Sequence, residues 1–102
     1  MQVDFDTVLL DIRGKPIETE PGGPPMTLAY AACEGLLALK AGDSGIDKAK
    51  CYRLAMAVVG GGTVNLTPED AALIKAKIGE IYAPIIVGRA FDLLDDRVVG
   101  EA

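Results

Sequence analysis

A mainly helical α+β domain is predicted: an N-terminal β-hairpin or extended arm docked on a compact bundle of three to four short helices. Three observations predict it. Apolar and polar residues alternate over the first part of the chain. From Leu28 onward the apolar residues recur at helical spacing. Helix-start and helix-stop residues punctuate the second part at regular intervals.

The arm occupies residues 1–19. Val3 and Phe5 alternate with Asp4 and Asp6, and Val8, Leu10 and Ile12 alternate with Leu9 and Asp11, the period of a strand. Arg13-Gly14-Lys15-Pro16 is a turn signal, and Ile17 opens a return segment. One hairpin alone is marginal, so the arm must dock on something. Residues 20–26 are a Pro/Gly loop. Its Glu-Pro-Gly-Gly-Pro-Pro run cannot be helical and is the expected mobile segment.

The helical core spans residues 27–97. Thr27 caps a first helix over about Leu28 to Leu39, with Leu28, Ala32, Leu36 and Leu39 on one face and Gly42 as its stop. Ser44 and Asp47 sketch a capping box for a second helix, which runs to about Val59. Its apolar side is Cys51, Leu54, Ala55 and Val58. Gly60-Gly61-Gly62 reads as a helix stop and linker, because no lysine adjoins the glycines as a phosphate-binding loop requires. Thr67-Pro68-Glu69-Asp70 is the strongest local signal. It places a cap, a proline at the first helical position, and two acids where the helix dipole favours negative charge. The third helix carries Ala71, Ile74, Ile78 and Ile81 as a stripe, with Lys75 and Lys77 directed away from it. Pro84 breaks this helix near Tyr82. A fourth helix follows with Val87, Ala90, Phe91 and Leu94 inward, and residues 98–102 form a tail. The whole is one domain.

Composition narrows the function. The chain has 102 residues, half of them hydrophobic, and a formal net charge of −5. That balance opposes non-specific attraction to a phosphate backbone or an anionic bilayer. Histidine and tryptophan are absent, which removes the commonest general base and the commonest zinc ligand. Cys33 and Cys51 are expected as buried free thiols in apolar helical surroundings. The N-terminus has no basic segment followed by an apolar one, and no apolar run is long enough to span a bilayer. The expectation is a soluble protein of the cytoplasm with no catalytic residue, no metal and no cofactor.

Two groups of side chains are candidates for contact with a macromolecule. Asp4, Asp6 and Asp11 on the arm, with Asp92, Asp95 and Asp96 at the far end, offer carboxylates to a protein partner. Such acids are ordinarily solvated, and two-carboxylate catalysis would need a cleft and a raised pKa. Lys48, Lys50, Tyr52 and Arg53, with Lys40 nearby, make the densest basic patch, the alternative being nucleic-acid contact. Asp43 and Asp47 dilute it, and it lacks interleaved aromatics for base stacking. Tyr30, Tyr52 and Tyr82 are read as rings buried in helices with their hydroxyls at the rim, the alternative for Tyr52, beside Lys50 and Arg53, being an anchor for a partner.

The stretch Leu66-Thr67-Pro68-Glu69-Asp70-Ala71-Ala72-Leu73-Ile74-Lys75 continues through Ile78-Gly79, Tyr82, Pro84 and Val87-Gly88 to Leu93-Leu94. With the Asp-x-x-Gly-Lys-Pro-Ile segment, Asp11 to Ile17, it resembles a family of small proteins of tailed bacteriophages and prophages. The resemblance covers most of the chain outside the Pro-rich loop and the Gly-rich segment. It implies a phage gene product acting in the host bacterial cytoplasm, and it supplies no catalytic residue. The reading that follows is a non-enzymatic protein-binding module, either an assembly chaperone or an inhibitor of a host enzyme or defence complex. Its partner is a phage or host protein, and self-association is possible through apolar helix surface. The alternative is a small nucleic-acid-binding regulator using the basic helix patch.

Overall fold

The computed structural model of the chain describes residues 1–38 and 44–95. The elements follow in the order β1 (Gln2–Asp4), α1 (Leu28–Leu37), α2 (Gly45–Val58), β2 (Thr63–Asn65), α3 (Pro68–Ile81) and α4 (Pro84–Leu94). This is the predicted mainly helical α+β fold.

The partner of β1 is not the return segment at Ile17 but β2, antiparallel, with Val3 opposite Val64. The glycines before β2 make this possible. Gly61 and Gly62 both adopt φ of +73°, a left-handed turn that L side chains avoid. The segment read as a linker therefore delivers a strand. Pairing continues past the strands: the Met1 ammonium donates to the Leu66 carbonyl at 2.8 Å, and the Leu66 amide donates to the Met1 carbonyl at 2.7 Å.

Between β1 and α1 the chain folds into a closed triangle of extended segments. Isolated antiparallel bridges join Val8 to Thr27, Leu10 to Pro16 and Glu18 to Pro25. The Leu10–Pro16 bridge is the predicted hairpin, turning at Gly14 with φ of +83°. The Pro/Gly loop is a closed turn, in which the Thr19 amide donates to Pro24 at 2.9 Å and the Gly23 amide to Glu20 at 2.7 Å. Phe5, Leu9 and Met26 from this region are all buried, so the arm completes the core of the helical part.

The helix α1 is central, packed against both α2 and α3. Its buried residues include Ala29, Ala31, Ala32 and Gly35, small side chains that let two neighbours approach at once. A Cβ on Gly35 would stand only 3.0 Å from the Lys77 carbonyl carbon of α3. Each predicted N-cap residue caps its helix, the box sketched by Ser44 and Asp47 being formed only in its Ser44 half. The Thr27, Ser44 and Thr67 hydroxyls accept from the amides of Tyr30, Asp47 and Asp70, and Thr67 with Asp70 makes a full capping box. α3 ends at Ile81 and Pro84 opens α4, as the proline break requires.

Several side chains depart from their expected faces. Lys77 is buried, not directed away, and lies 3.7 Å from Glu80. Lys75 lies over the Phe91 ring, 5.5 Å from its centre, because α4 folds back along that side of α3. Ile81 is exposed, being the last residue of α3, where the chain turns toward Pro84. Tyr52 is 58 % exposed rather than buried, and Tyr30 is exposed as well. Ala90 and Leu94 face inward as predicted. Leu39, Lys40, Gly42, Asp43, Asp96, Arg97 and the tail lie outside the described residues.

Candidate functional site

The described acidic candidates lie along the N-terminal arm and on the last turn and C-cap of α4. Asp4 ends β1, where its carboxylate accepts from the Asp6 amide at 2.9 Å. Asp6 is exposed beside Gly61, where a Cβ would collide with its carboxylate. Asp11 anchors the hairpin tip through its Oδ1, which accepts from the amides of Arg13 at 2.8 Å and Lys15 at 3.0 Å. Asp92 is exposed on α4 and lines a shallow groove with Thr7, Val8, Leu10, Arg89 and Leu93. Asp95 is half-buried at the end of α4, near Met1, Pro68 and Lys75. Asp4 and Asp11 thus spend carboxylate oxygens on their own loops. Asp4 and Asp6 lie together after β1, Asp11 and Asp92 both lie near Arg89, and Asp96 is outside the described residues.

The basic candidates all lie on α2, where Lys48, Lys50, Tyr52 and Arg53 are exposed. They divide between two flanks of the helix. Lys50 and Arg53 line a cleft of about 540 Å³ between α2 and the start of α3, shared with Asp47, Glu69 and Asp70 and floored by Leu54 and Leu73. Tyr52 lies on the other flank. There it is joined at i+4 and i+7 by Met56 and Val59, exposed by 58 % and 60 %. These two were not singled out by sequence reasoning. Their signal is a second apolar stripe on a helix whose first stripe, Cys51, Leu54, Ala55 and Val58, is already buried. Ile12, 85 % exposed at the hairpin tip, was likewise not singled out.

Both cysteines are free thiols, Cys51 buried and Cys33 half-buried. The Cys33 thiol donates to the Ala55 carbonyl at 3.7 Å, linking α1 to α2. Burial, and secondarily the Glu34 carboxylate, push the Cys33 pKa up. Burial also pushes the Tyr82 hydroxyl up to about 12, with smaller contributions from Glu34 and Tyr30. Among the described residues no group of three or more Cys, Asp or Glu side chains is placed to hold a metal ion. No helix among them is long and apolar enough to cross a membrane.

Comparison with known proteins finds no matching family model, no matching curated protein and no matching solved structure.

Proposed function

We propose that this chain is a non-enzymatic, phage- or prophage-encoded module that occupies a surface of a larger phage or host protein. The observation that carries this reading is the outward flank of α2. Tyr52, Met56 and Val59 hold three apolar side chains in line on one exposed face. The same helix buries four other apolar residues against the core. An apolar helix face in water is a docking surface in waiting: methionine adapts to irregular partners, and tyrosine is favoured at the centres of interfaces. The face is apolar rather than acidic, which favours the covering of apolar surface on a structural protein over the blocking of a basic groove.

The test is capture by the tagged full-length protein from infected and uninfected cells, with a Tyr52→Ser/Met56→Ser variant as control. Retention of one virion protein, lost in the variant at unchanged melting temperature, supports the module. Retention that ignores the variant overturns the assignment to α2. A gel shift on random DNA and RNA with a steep salt slope overturns the protein-binding reading in favour of the nucleic-acid regulator.

A further inference from the structure

The hairpin tip is held by a dense set of hydrogen bonds, both its own and from α4. The Asp11 amide donates to the Lys15 carbonyl at 2.7 Å, and the Gly14 amide to the Asp11 carbonyl at 3.0 Å. The Asp11 carboxylate holds the amides of Arg13 and Lys15. From α4, Arg89 clamps the base of the tip: its Nε donates to the Leu10 carbonyl at 2.9 Å and its Nη2 to the Asp11 carbonyl at 3.0 Å. All this order presents one apolar side chain. Ile12 is 85 % exposed at the apex, the most exposed large hydrophobic residue among those described, and the exposed cations Arg13 and Lys15 follow it in the same turn. A rigid, preformed loop loses little freedom on docking, which is the physical advantage of such a finger.

The same molecule carries a receptor of matching character. The cleft between α2 and α3 has an apolar floor of Leu54 and Leu73. Its walls hold three carboxylates, Asp47, Glu69 and Asp70, against two cations, Lys50 and Arg53. The cleft is therefore net negative. The tip is net positive, because Arg13 and Lys15 outweigh Asp11. The cleft's volume of about 540 Å³ exceeds the needs of one isoleucine side chain and leaves room for the aliphatic stems of Arg13 and Lys15.

We propose that Ile12 of one copy seats in the α2–α3 cleft of a second copy, with Arg13 and Lys15 directed to Glu69 and Asp70. The contact joins two different patches, so it is head-to-tail: each copy keeps a free tip or a free cleft, and association continues until a ring closes or a filament grows. Opposite charges speed the encounter and make it salt-sensitive. The contact uses neither Tyr52, Met56 nor Val59, so it stands or falls apart from the docking face of α2.

Sedimentation of the full chain over a concentration series tests it, with Ile12→Asp and Glu69→Lys as single variants. Both positions are exposed, and a melting curve for each establishes that the fold is kept. The wild type is expected to form species larger than a dimer at rising concentration, and less so in high salt. Each variant alone is expected to weaken association at least tenfold. An equimolar mixture of the two is expected to give a dimer and nothing larger, because only one tip and one complementary cleft remain competent. A Lys15→Glu/Glu69→Lys chain, with the charges exchanged, is expected to recover association. A wild type that stays monomeric at the highest concentration overturns the proposal. So does association indifferent to both variants, or a mixture that stays monomeric.

Discussion

The Met26 amide donates to the Ile17 carbonyl at 2.6 Å, closing a ring of three backbone hydrogen bonds. Ile17 in turn donates to Leu9 at 2.9 Å, and Leu9 donates to Met26 at 2.8 Å. Three segments distant along the chain thus satisfy one another's amides around a triangle, with the side chains of Leu9 and Met26 buried in the core and Ile17 packed against it. No segment of the triangle is a strand that could persist alone. Its stability is borrowed from the apolar side chains that its corners push inward.

The first prediction follows from that dependence. Phe5 is fully buried, and its backbone ties the β-turn glycines to α1: its amide donates to Gly62 at 2.9 Å and its carbonyl accepts from Ala29 at 3.0 Å. Phe5→Ala is expected to cost about 3–5 kcal/mol, a large share of the 5–15 kcal/mol typical of a small domain. Urea unfolding measures it. A loss under about 1 kcal/mol would mean that the arm is an accessory to the core.

Gly35 reverses a common rule. Glycine inside a helix costs about 1 kcal/mol relative to alanine, so Gly→Ala ordinarily stabilises. At Gly35 the added Cβ would meet α3 backbone, 3.0 Å from the Lys77 carbonyl carbon and 3.1 Å from the Ile78 nitrogen. Backbone cannot rotate aside as a side-chain tip can. Overpacking of about 1–3 kcal/mol outweighs the propensity gain, and Gly35→Ala is expected to lower the melting temperature. Gly45, with open space around its Cβ position, is the control.

At the start of α3, the Thr67 hydroxyl accepts from the Asp70 amide at 3.1 Å, and the Thr67 amide donates a longer bond to the Asp70 carboxylate at 3.4 Å. Thr67→Ala is expected to destabilise by about 1 kcal/mol, and Thr67→Ser by much less, because serine keeps the capping oxygen. Thermal melts of the pair would separate loss of the cap from loss of the methyl group. Equal losses would exclude capping as the cause.

Alkaline pH probes the contact between α1 and the end of α3. The Tyr82 hydroxyl is raised from 10.0 to about 12, first by burial and then by Glu34. The neutral phenol is thus favoured in the folded state. Below the unfolded value both states are protonated and the stability is intact. As pH rises from about 10 to about 12, the unfolded chain ionises first and stability falls. Phenolate absorbance should show a late step, absent in Tyr82→Phe. Glu34→Gln should move that step to lower pH and also speed alkylation of Cys33 at a given pH, since Glu34 is a secondary cause of both shifts. Burial, the larger cause, remains, so neither value returns to normal. If Glu34→Gln left both readouts in place, the electrostatic contribution would be refuted.

What the sequence determined by itself was the local grammar. Thr27, Ser44 and Thr67 start helices because a short hydroxyl satisfies amides within its own turn. Pro84 separates α3 from α4 because its ring excludes the preceding turn. Periodicity picked out Ile74, Ile78, Ala90 and Leu94 as inward for the same reason: the information lies within a few residues. Tertiary structure decided everything that required two distant segments to meet. The strand Thr63–Asn65 is too short to announce itself and exists only because Gln2–Asp4 lies beside it. Lys77 is buried, and Lys75 lies over Phe91, because neighbouring helices cover the faces that periodicity left polar. The exposed apolar flank of α2, the cleft on its other flank and the clamp of Arg89 on the hairpin tip depend equally on packing. Hydrogen-bond and packing partners far apart in the chain leave no periodic trace, so such sites become visible only when the chain is folded.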